Sequence, residues 1–186
     1  MYLKIQTIND QIFFKAQNYF SKDYISKLKL KSTYKESLVA RYLIDQNIIP
    51  QNKNIYSCIS HKDNLVFIWV SDYKLWVDIE IYKKRDISLL NTFLEKEYNL
   101  FWEQNWNNFY IIWTAKESIV KLLNQKLDDI NNYTIINIKN INKTISWIKF
   151  NYSLFIQTNI WIIQVLSWKK NNYFYSICFK KTNMIL

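Results

Sequence analysis

The sequence of 186 residues predicts an α+β fold, because two different apolar periodicities alternate along the chain. Some segments repeat apolar residues at four-residue spacing, which is typical of helices that pack one face against a core. Others alternate apolar and polar residues, which is typical of strands. The connections between these segments are short, and helices interleaved with strands in this way indicate a mixed architecture.

The N-terminal part of the chain is predicted to contain two helices. The first begins near Asn9 or Asp10, since both residue types cap helices well. The second begins at Thr33, because Thr33 and Glu36 have the spacing of a capping box and the apolar residues that follow repeat at helical spacing.

Strands are predicted next, at residues 55–59, 65–71 and 75–82. The first two of these are joined by a turn through Lys62, Asp63 and Asn64. Asp86 can then cap a helix, and a further helix is expected from Thr114 to about residue 125. Residues 133–179 have the alternation of three or four more strands.

The composition argues against disorder and against a membrane-spanning chain. Apolar residues make up 49% of the sequence and aromatic residues 18%, which is enough to form a core. No apolar stretch reaches the ~20 residues of a membrane-spanning helix, and residues 1–20 lack the pattern of a secretory signal. Cys58 and Cys178 form no spacing pattern and suit a reducing compartment, so we expect a cytoplasmic protein.

The formal net charge of +10 favours anionic partners, such as nucleic acid, a membrane surface, phosphorylated cofactors or acidic proteins. It does not choose among them, because a composition rich in Lys, Asn, Ile and Tyr is what an AT-rich coding sequence produces.

The chain has no glycine and eight tryptophans, whereas average usage gives about 13 glycines in a chain of this length. Trp69 and Trp76 lie in strand-like segments where a small residue is expected. We therefore hypothesise that UGA codons read as glycine in the source lineage have been translated as tryptophan; extreme compositional drift is the alternative. A UGG codon at Trp76 would exclude the hypothesis at that position.

Two acidic residues share one side of the predicted strand at residues 75–82. Because side chains alternate along a strand, Asp78 and Glu80 point the same way and Val77 and Ile79 the other. Two carboxylates about 7 Å apart can hold a hard cation through oxygen. The structural alternative is a half-buried strand with a polar outer face.

A further acidic residue, Glu117, lies in the helix predicted from Thr114. Thr114 and Glu117 have capping-box spacing, and Glu117 with Lys121 forms an ordinary helix pair, so a structural interpretation accounts for these residues. In the functional interpretation Glu117 completes a metal site or acts as a base, and Lys116 and Lys121 offer positive charge to phosphate oxygens.

The sole histidine follows a serine, at Ser60-His61-Lys62. A histidine at the end of a strand is commonly a polar turn residue. The alternative is a small cluster that contacts phosphate.

The order and spacing of these elements resemble the surfactin-synthetase-activating type of 4′-phosphopantetheinyl transferase. The resemblance extends from about Lys27 to Leu123. It is carried by Ile-Ser-His at 59–61, Val-Asp-Ile-Glu at 77–80 and Trp-Thr-Ala-Lys-Glu-Ser-Ile-Val-Lys at 113–121, with further similarity at residues 37–43, Phe93 and Glu97. Trp76 stands where the family has glycine, and the family's Gly-Lys-Pro stretch is reduced to residues 50–53.

The resemblance implies a two-lobed α+β fold, each lobe a small sheet with helices, the two being related by a pseudo-twofold. The N-terminal lobe would be residues 1–74, and the C-terminal lobe, residues 75–186, would carry the metal site. Coenzyme A would bind in the cleft between them. Because this type needs no partner to complete its cleft, we expect a monomer.

The resemblance also implies a reaction, in which the 4′-phosphopantetheine group moves from coenzyme A to a serine of an acyl or peptidyl carrier protein and 3′,5′-ADP leaves. Asp78, Glu80 and Glu117 would hold Mg²⁺, and Glu117 would accept the serine proton. Lys121 would act beside Glu117 in catalysis, and with Lys116 would stabilise charge on the phosphates. The remaining contacts to coenzyme A would come from Ser60, His61, Lys27, Lys29 and Lys31. The carrier could serve fatty-acid, polyketide or peptide synthesis; we expect neither nucleic acid nor a membrane as partner.

Two rival functions remain open. A basic, aromatic-rich chain could bind single-stranded nucleic acid, which requires exposed aromatic platforms beside lysines. The second rival is a relative that binds coenzyme A or a carrier without turnover. The shortened stretch at residues 50–53 is the reason to consider it.

Overall fold

Helices and an antiparallel sheet form the first of two compact units into which the chain divides, Met1–Asp72. The computed structural model describes residues 2–47, 55–145 and 147–179. The elements of this unit, in chain order, are β1 (Tyr2–Thr7), α1 (Asp10–Tyr19), α2 (Lys22–Lys29), α3 (Tyr34–Asn47), β2 (Tyr56–Lys62) and β3 (Leu65–Ser71). The sheet has the order β1-β3-β2.

The helices of this unit begin at polar caps. Asn9 caps α1 as predicted, because its side chain accepts a hydrogen bond from the Ile12 N–H at 2.9 Å. Helix α2 was not predicted from the sequence; Ser21 caps it by accepting from the Tyr24 N–H. All three helices contribute to the core over β3, whose residues are buried along its whole length.

Strand β2 is longer than the sequence indicated. It runs to Lys62, so Ser60 and His61 lie within the strand and not beyond its end. The turn that follows consists of Asp63 and Asn64, and Asp63 adopts a left-handed backbone with φ of 50°. Two-residue hairpin turns need such a conformation, which aspartate tolerates better than most residues.

The second unit, Tyr73–Leu186, has a larger antiparallel sheet in the order β4-β8-β7-β6-β5. Its strands are β4 (Leu75–Ile81), β5 (Thr134–Ile145), β6 (Ile148–Gln157), β7 (Ile162–Lys170) and β8 (Tyr173–Phe179). Between β4 and β5 lie the helices α4 (Glu95–Asn99) and α5 (Trp106–Leu123) and the 3₁₀ turns Ile87–Thr92 and Leu127–Asn132. Helices combined with two sheets confirm the predicted α+β class.

Helix α5 is the central helix of the second unit and packs on β8, β4 and β7. The prediction that a helix begins at Thr114 was wrong. Asn105 caps α5 by accepting from the Asn108 N–H, and the Thr114 hydroxyl donates to the Tyr110 carbonyl within the helix at 2.9 Å. Glu117 therefore lies in the middle of a helix and not in its first turn.

The helix expected after Asp86 also differs from the prediction. Asp86 does accept from the Ser88 N–H, but the segment that follows is a 3₁₀ turn, and α4 is separate from it. Residues 50–53 lie outside the described residues. In the part of the chain that is described, no helix is long and apolar enough to cross a membrane.

Candidate metal centre

Strand β4 carries two buried carboxylates toward α5. Asp78 is paired across the sheet with Ser176, and Ser176 donates a hydrogen bond to the Thr114 carbonyl of α5 at 2.6 Å. Because alternate residues share a face, Glu80 points to the same side as Asp78. Their exposed fractions are 1% for Asp78 and 8% for Glu80.

Helix α5 supplies the third carboxylate. Trp113 precedes Glu117 by four residues, so the two side chains lie on one face of the helix. The Trp113 Nε1–H donates to Glu117 Oε2 at 2.8 Å. This indole fixes one carboxylate oxygen of Glu117, and its partner oxygen, Oε1, faces Lys121.

Lys121 joins the helix to the strand. Its Nζ lies 2.5 Å from Asp78 Oδ1 and 3.1 Å from Glu117 Oε1. Burial alone would lower the pKa of the Lys121 ammonium, but the Asp78 and Glu117 carboxylates outweigh burial and raise that pKa. The Lys121 side chain is therefore a firmly protonated cation, and it remains 32% exposed.

The electrostatics of Asp78 reflect its depth in the protein. Burial raises the pKa of the Asp78 carboxyl to about 7, and the neighbouring Glu117 and Glu80 add to the rise while Lys121 opposes it. A carboxyl in this condition gains more from a cation than an exposed one does, since water cannot screen its charge.

The three carboxylates converge closely enough to share one ion. One oxygen from each of Asp78, Glu80 and Glu117 lies within 4.8 Å of the other two. Mg²⁺ binds oxygen at about 2.1 Å in octahedral geometry, so two of its ligands are about 3.0 Å apart when adjacent and about 4.2 Å apart when opposite. Carboxylate oxygens within 4.8 Å of one another can reach these distances by rotation of their side chains, and they are the hard donors that Mg²⁺ prefers.

Comparison with known protein families identifies the segment that carries these residues. The family model of the 4′-phosphopantetheinyl transferase superfamily matches residues 77–178, which is more than half of the chain. The chain belongs to the 4′-phosphopantetheinyl transferase superfamily. No curated protein matches it. The superfamily segment contains all three carboxylates, Lys116 and Lys121.

Within the superfamily segment, Lys116 lies apart from the carboxylate cluster. It is 1% exposed and forms an ion pair with Glu97 of α4, with distances of 2.8 and 2.9 Å from Nζ to the two carboxylate oxygens. Its Nζ also lies 4.5 Å from the centre of the Phe93 ring. Burial lowers the pKa of Lys116 and Glu97 opposes this effect. The phosphate contact expected for Lys116 from the sequence does not suit a side chain so enclosed.

Glu97 connects three elements. Besides Lys116, it accepts hydrogen bonds from the Ile135 N–H of β5 at 2.8 Å and from the Leu94 N–H at 3.2 Å. Before the structure, the indication for this residue was weak, namely its match to an acidic position of the family. Its partner could not have been found from spacing, because Lys116 lies 19 residues further on.

The other sequence-predicted residues belong to the first unit. Ser60 is buried and His61 half-buried on β2, whereas Lys27 and Lys29 are exposed on α2 and Lys31 is exposed just beyond it. Lys27 forms an exposed ion pair with Asp23 at 2.7 Å. The contacts of these serine, histidine and lysine side chains to coenzyme A stay predictions from the family resemblance.

Proposed function

We propose that this member of the superfamily transfers 4′-phosphopantetheine from coenzyme A to a serine of a carrier protein, with Mg²⁺ and with release of 3′,5′-ADP. The observation that carries the proposal is the convergence of Asp78, Glu80 and Glu117 inside the segment that matches the family. We assign the chain to the surfactin-synthetase-activating type on the motifs at 59–61, 77–80 and 113–121.

In this proposal Asp78, Glu80 and Glu117 hold the metal ion. Mg²⁺ bound there would neutralise charge on the diphosphate of coenzyme A as the bond to the leaving group breaks. Three carboxylates leave part of an octahedral shell for phosphate oxygens and water, which is how proteins usually bind Mg²⁺ beside a phosphorylated substrate.

Glu117 is the residue we assign to proton transfer. The serine oxygen of the carrier forms a bond to the β-phosphorus, the bond from that phosphorus to the 3′,5′-ADP oxygen breaks, and the serine proton passes to Glu117 directly or through water. Glu117 is suited to this role because its side chain is 16% exposed, unlike the 1% of Asp78, so a substrate group can approach it. The Trp113 indole holds its carboxylate in position.

The two lysines of the motif have different roles in the proposal. Lys121 is partly exposed and reaches the carboxylate cluster, so it can also interact with a phosphate oxygen and stabilise its charge without reorganisation. Lys116 is enclosed with Glu97, so we assign it to holding α5 against α4.

The family resemblance also supports proposals for the remaining residues, the lobes, the oligomeric state and the cellular location. Coenzyme A would be held further by Ser60, His61, Lys27, Lys29 and Lys31. We propose two pseudo-twofold lobes, residues 1–74 and 75–186, in a monomer that acts in the cytoplasm on a carrier of fatty-acid, polyketide or peptide synthesis.

The experiment incubates the protein with coenzyme A, Mg²⁺ and a candidate apo carrier, and measures the carrier's mass. We expect the mass of the carrier to rise by one 4′-phosphopantetheine group, and we expect chelation of Mg²⁺ to prevent the rise. A panel of carriers from the three pathways should be used. A second preparation of the protein, with glycine at any position encoded by UGA, should be assayed in parallel.

Two outcomes would contradict the proposal. Binding of coenzyme A or carrier without any mass change would favour the non-catalytic relative. Salt-sensitive binding of single-stranded nucleic acid, with no binding of coenzyme A, would favour the nucleic-acid-binding module.

A further inference from the structure

Lys121 touches the carboxylate cluster at the oxygens that a metal ion would need. Its Nζ lies 2.5 Å from Asp78 Oδ1 and 3.1 Å from Glu117 Oε1, so the ammonium contacts two of the three candidate ligands. Both contacts are charge-assisted, which makes them stronger than ordinary hydrogen bonds. The cluster therefore has an internal cation in its own chain.

The charge of the cluster favours an internal cation. Three carboxylates whose oxygens lie within 4.8 Å repel one another, and two of them are buried. Removing a countercharge from buried carboxylates leaves an uncompensated charge in a poorly solvated place. Lys116, the other lysine of α5, is enclosed with Glu97.

The Lys121 side chain is also accessible to an incoming anion. It is 32% exposed, whereas Lys116 is only 2% exposed at its side chain. A lysine has a flexible stem of four carbons and a point charge that any phosphate oxygen can accept. Lys121 can thus exchange its carboxylate contacts for contacts to an anion at the entrance of the site.

We propose that Lys121 competes with the divalent cation for Asp78 and Glu117, so that metal and coenzyme A bind cooperatively. An ammonium and a divalent cation cannot both occupy the same oxygens without strong repulsion. The diphosphate of coenzyme A draws Lys121 away from the carboxylates, and this exposes the metal site. This inference rests on the proposed function, since it takes coenzyme A as the anion.

Cooperativity of this kind has a reciprocal signature. If coenzyme A tightens metal binding by some factor, the metal must tighten coenzyme A binding by the same factor. A side chain that only stabilised the fold would not produce this coupling. Lys121 would then set the order of assembly in addition to contacting phosphate.

The test measures Mn²⁺ affinity by calorimetry for the full chain without coenzyme A. We expect Lys121→Met to bind Mn²⁺ about tenfold more tightly than the wild type or better, which corresponds to about 1.4 kcal/mol. Lys121→Arg keeps the positive charge and should stay near the wild type. Lys126→Met removes one charge from an exposed position outside the cluster, and should also leave the affinity unchanged.

A second set of titrations adds saturating coenzyme A. We expect coenzyme A to raise the Mn²⁺ affinity of both proteins, because its diphosphate can ligate the metal directly. The rise should be about tenfold larger in the wild type than in Lys121→Met, since only the wild type also loses the competing lysine. If Lys121→Met is unfolded without metal, recovery of the folded state on addition of Mn²⁺ supports the inference, and failure to recover contradicts it.

The inference is overturned if Lys121→Met binds Mn²⁺ as weakly as the wild type or more weakly. That result is distinguishable from failure of the proposed function, which is measured by labelling of a carrier by the wild type. If the wild type labels a carrier but Lys121→Met binds Mn²⁺ with unchanged affinity, only the inference about competition is contradicted. Tighter Mn²⁺ binding without labelling of any carrier supports the competition and counts against the transferase.

Discussion

Glu117 is held from two sides, by the Trp113 indole on one oxygen and by Lys121 on the other. We expect Glu117→Gln to abolish most transfer, by a factor on the order of 10² to 10⁴, because the amide cannot accept the serine proton. Labelling rates of a carrier would measure this. Far-UV circular dichroism should be unchanged, because glutamine can still accept the hydrogen bond from Trp113.

The matched control is Glu95→Gln, an exposed position in the first turn of α4. It should label the carrier at the wild-type rate. Near-normal labelling by Glu117→Gln would remove Glu117 from the role of proton acceptor.

The tryptophans differ in how well the structure accommodates them. The indole N–H groups of Trp69 and Trp76 are buried and find no hydrogen-bond partner among the described residues, whereas the Trp113 indole bonds to Glu117. Trp102 is 95% exposed and has a left-handed backbone with φ of 65°, a conformation that glycine adopts readily after a helix. The codon hypothesis therefore expects UGA at positions 69, 76 and 102 and UGG at 113.

Trp102→Gly should stabilise the protein by roughly 1 kcal/mol, because it relieves a left-handed conformation that costs a bulky residue about that much. Urea unfolding would measure the change. The control is Trp106→Gly, since Trp106 begins α5 and packs against Phe109 with ring centres 5.5 Å apart. We expect that variant to lose roughly 2–3 kcal/mol. A loss of stability in Trp102→Gly would show that tryptophan is the residue the turn requires.

At the scale of elements, the Glu97–Lys116 pair connects α4, α5 and the start of β5. We expect Lys116→Met to cost roughly 3–5 kcal/mol of unfolding free energy, because Glu97 would remain buried without its cation. Urea unfolding monitored by circular dichroism would show this. Lys96→Met, at an exposed neighbouring position, should change the free energy by less than about 0.5 kcal/mol.

The double variant Glu97→Gln with Lys116→Met separates the pair from simple packing. It removes both charges and keeps an oxygen that can accept from the Ile135 N–H. We expect it to be more stable than Lys116→Met alone. If the double variant is the less stable of the two, the cost arises from lost packing and not from an unpaired carboxylate.

Some elements could be predicted from sequence and others could not, for physical reasons. Strands β3 and β4 were found within one residue of their ends, because apolar runs and alternation define strands locally. The first half of α5 was missed because residues 109–112 are all buried, so no periodicity remains there. Thr114 has capping-box spacing with Glu117, so the helix was predicted to begin there. Helix α2 was missed because Leu28 is its one buried residue.

The candidate site could likewise be predicted from the sequence only in part. The shared face of Asp78 and Glu80 follows from the strand period alone. The approach of Lys121 to Asp78 joins residues 43 positions apart. The family resemblance placed Lys121 at the phosphates and did not indicate this ion pair. The separation of Lys116 from the cluster depends on Glu97 and on where α4 packs, which local spacing does not encode.

At the scale of the whole molecule, ligands that bind only the folded state raise the melting temperature. We expect Mg²⁺ and coenzyme A together to raise the melting temperature of the full chain by more than the sum of their separate effects. Differential scanning fluorimetry would measure this. The reason is that Lys121 opposes the metal until an anion is present.

Lys121→Met should remove most of the excess, because its side chain no longer opposes the metal ion at Asp78 and Glu117. Glu95→Gln again serves as the exposed control. Additive shifts in the wild type would mean that the two ligands bind independently.

Strand β5 forms one edge of the larger sheet, and its pairing with β6 shifts register twice, after Ile135 and after Asn140. A straight, uncharged edge strand invites a strand from another molecule to add to it, which is how sheets aggregate. The two irregularities and the exposed charges of Lys139 and Lys143 make β5 a poor template for such growth. Growth of the larger sheet through this edge is therefore disfavoured when the protein is concentrated.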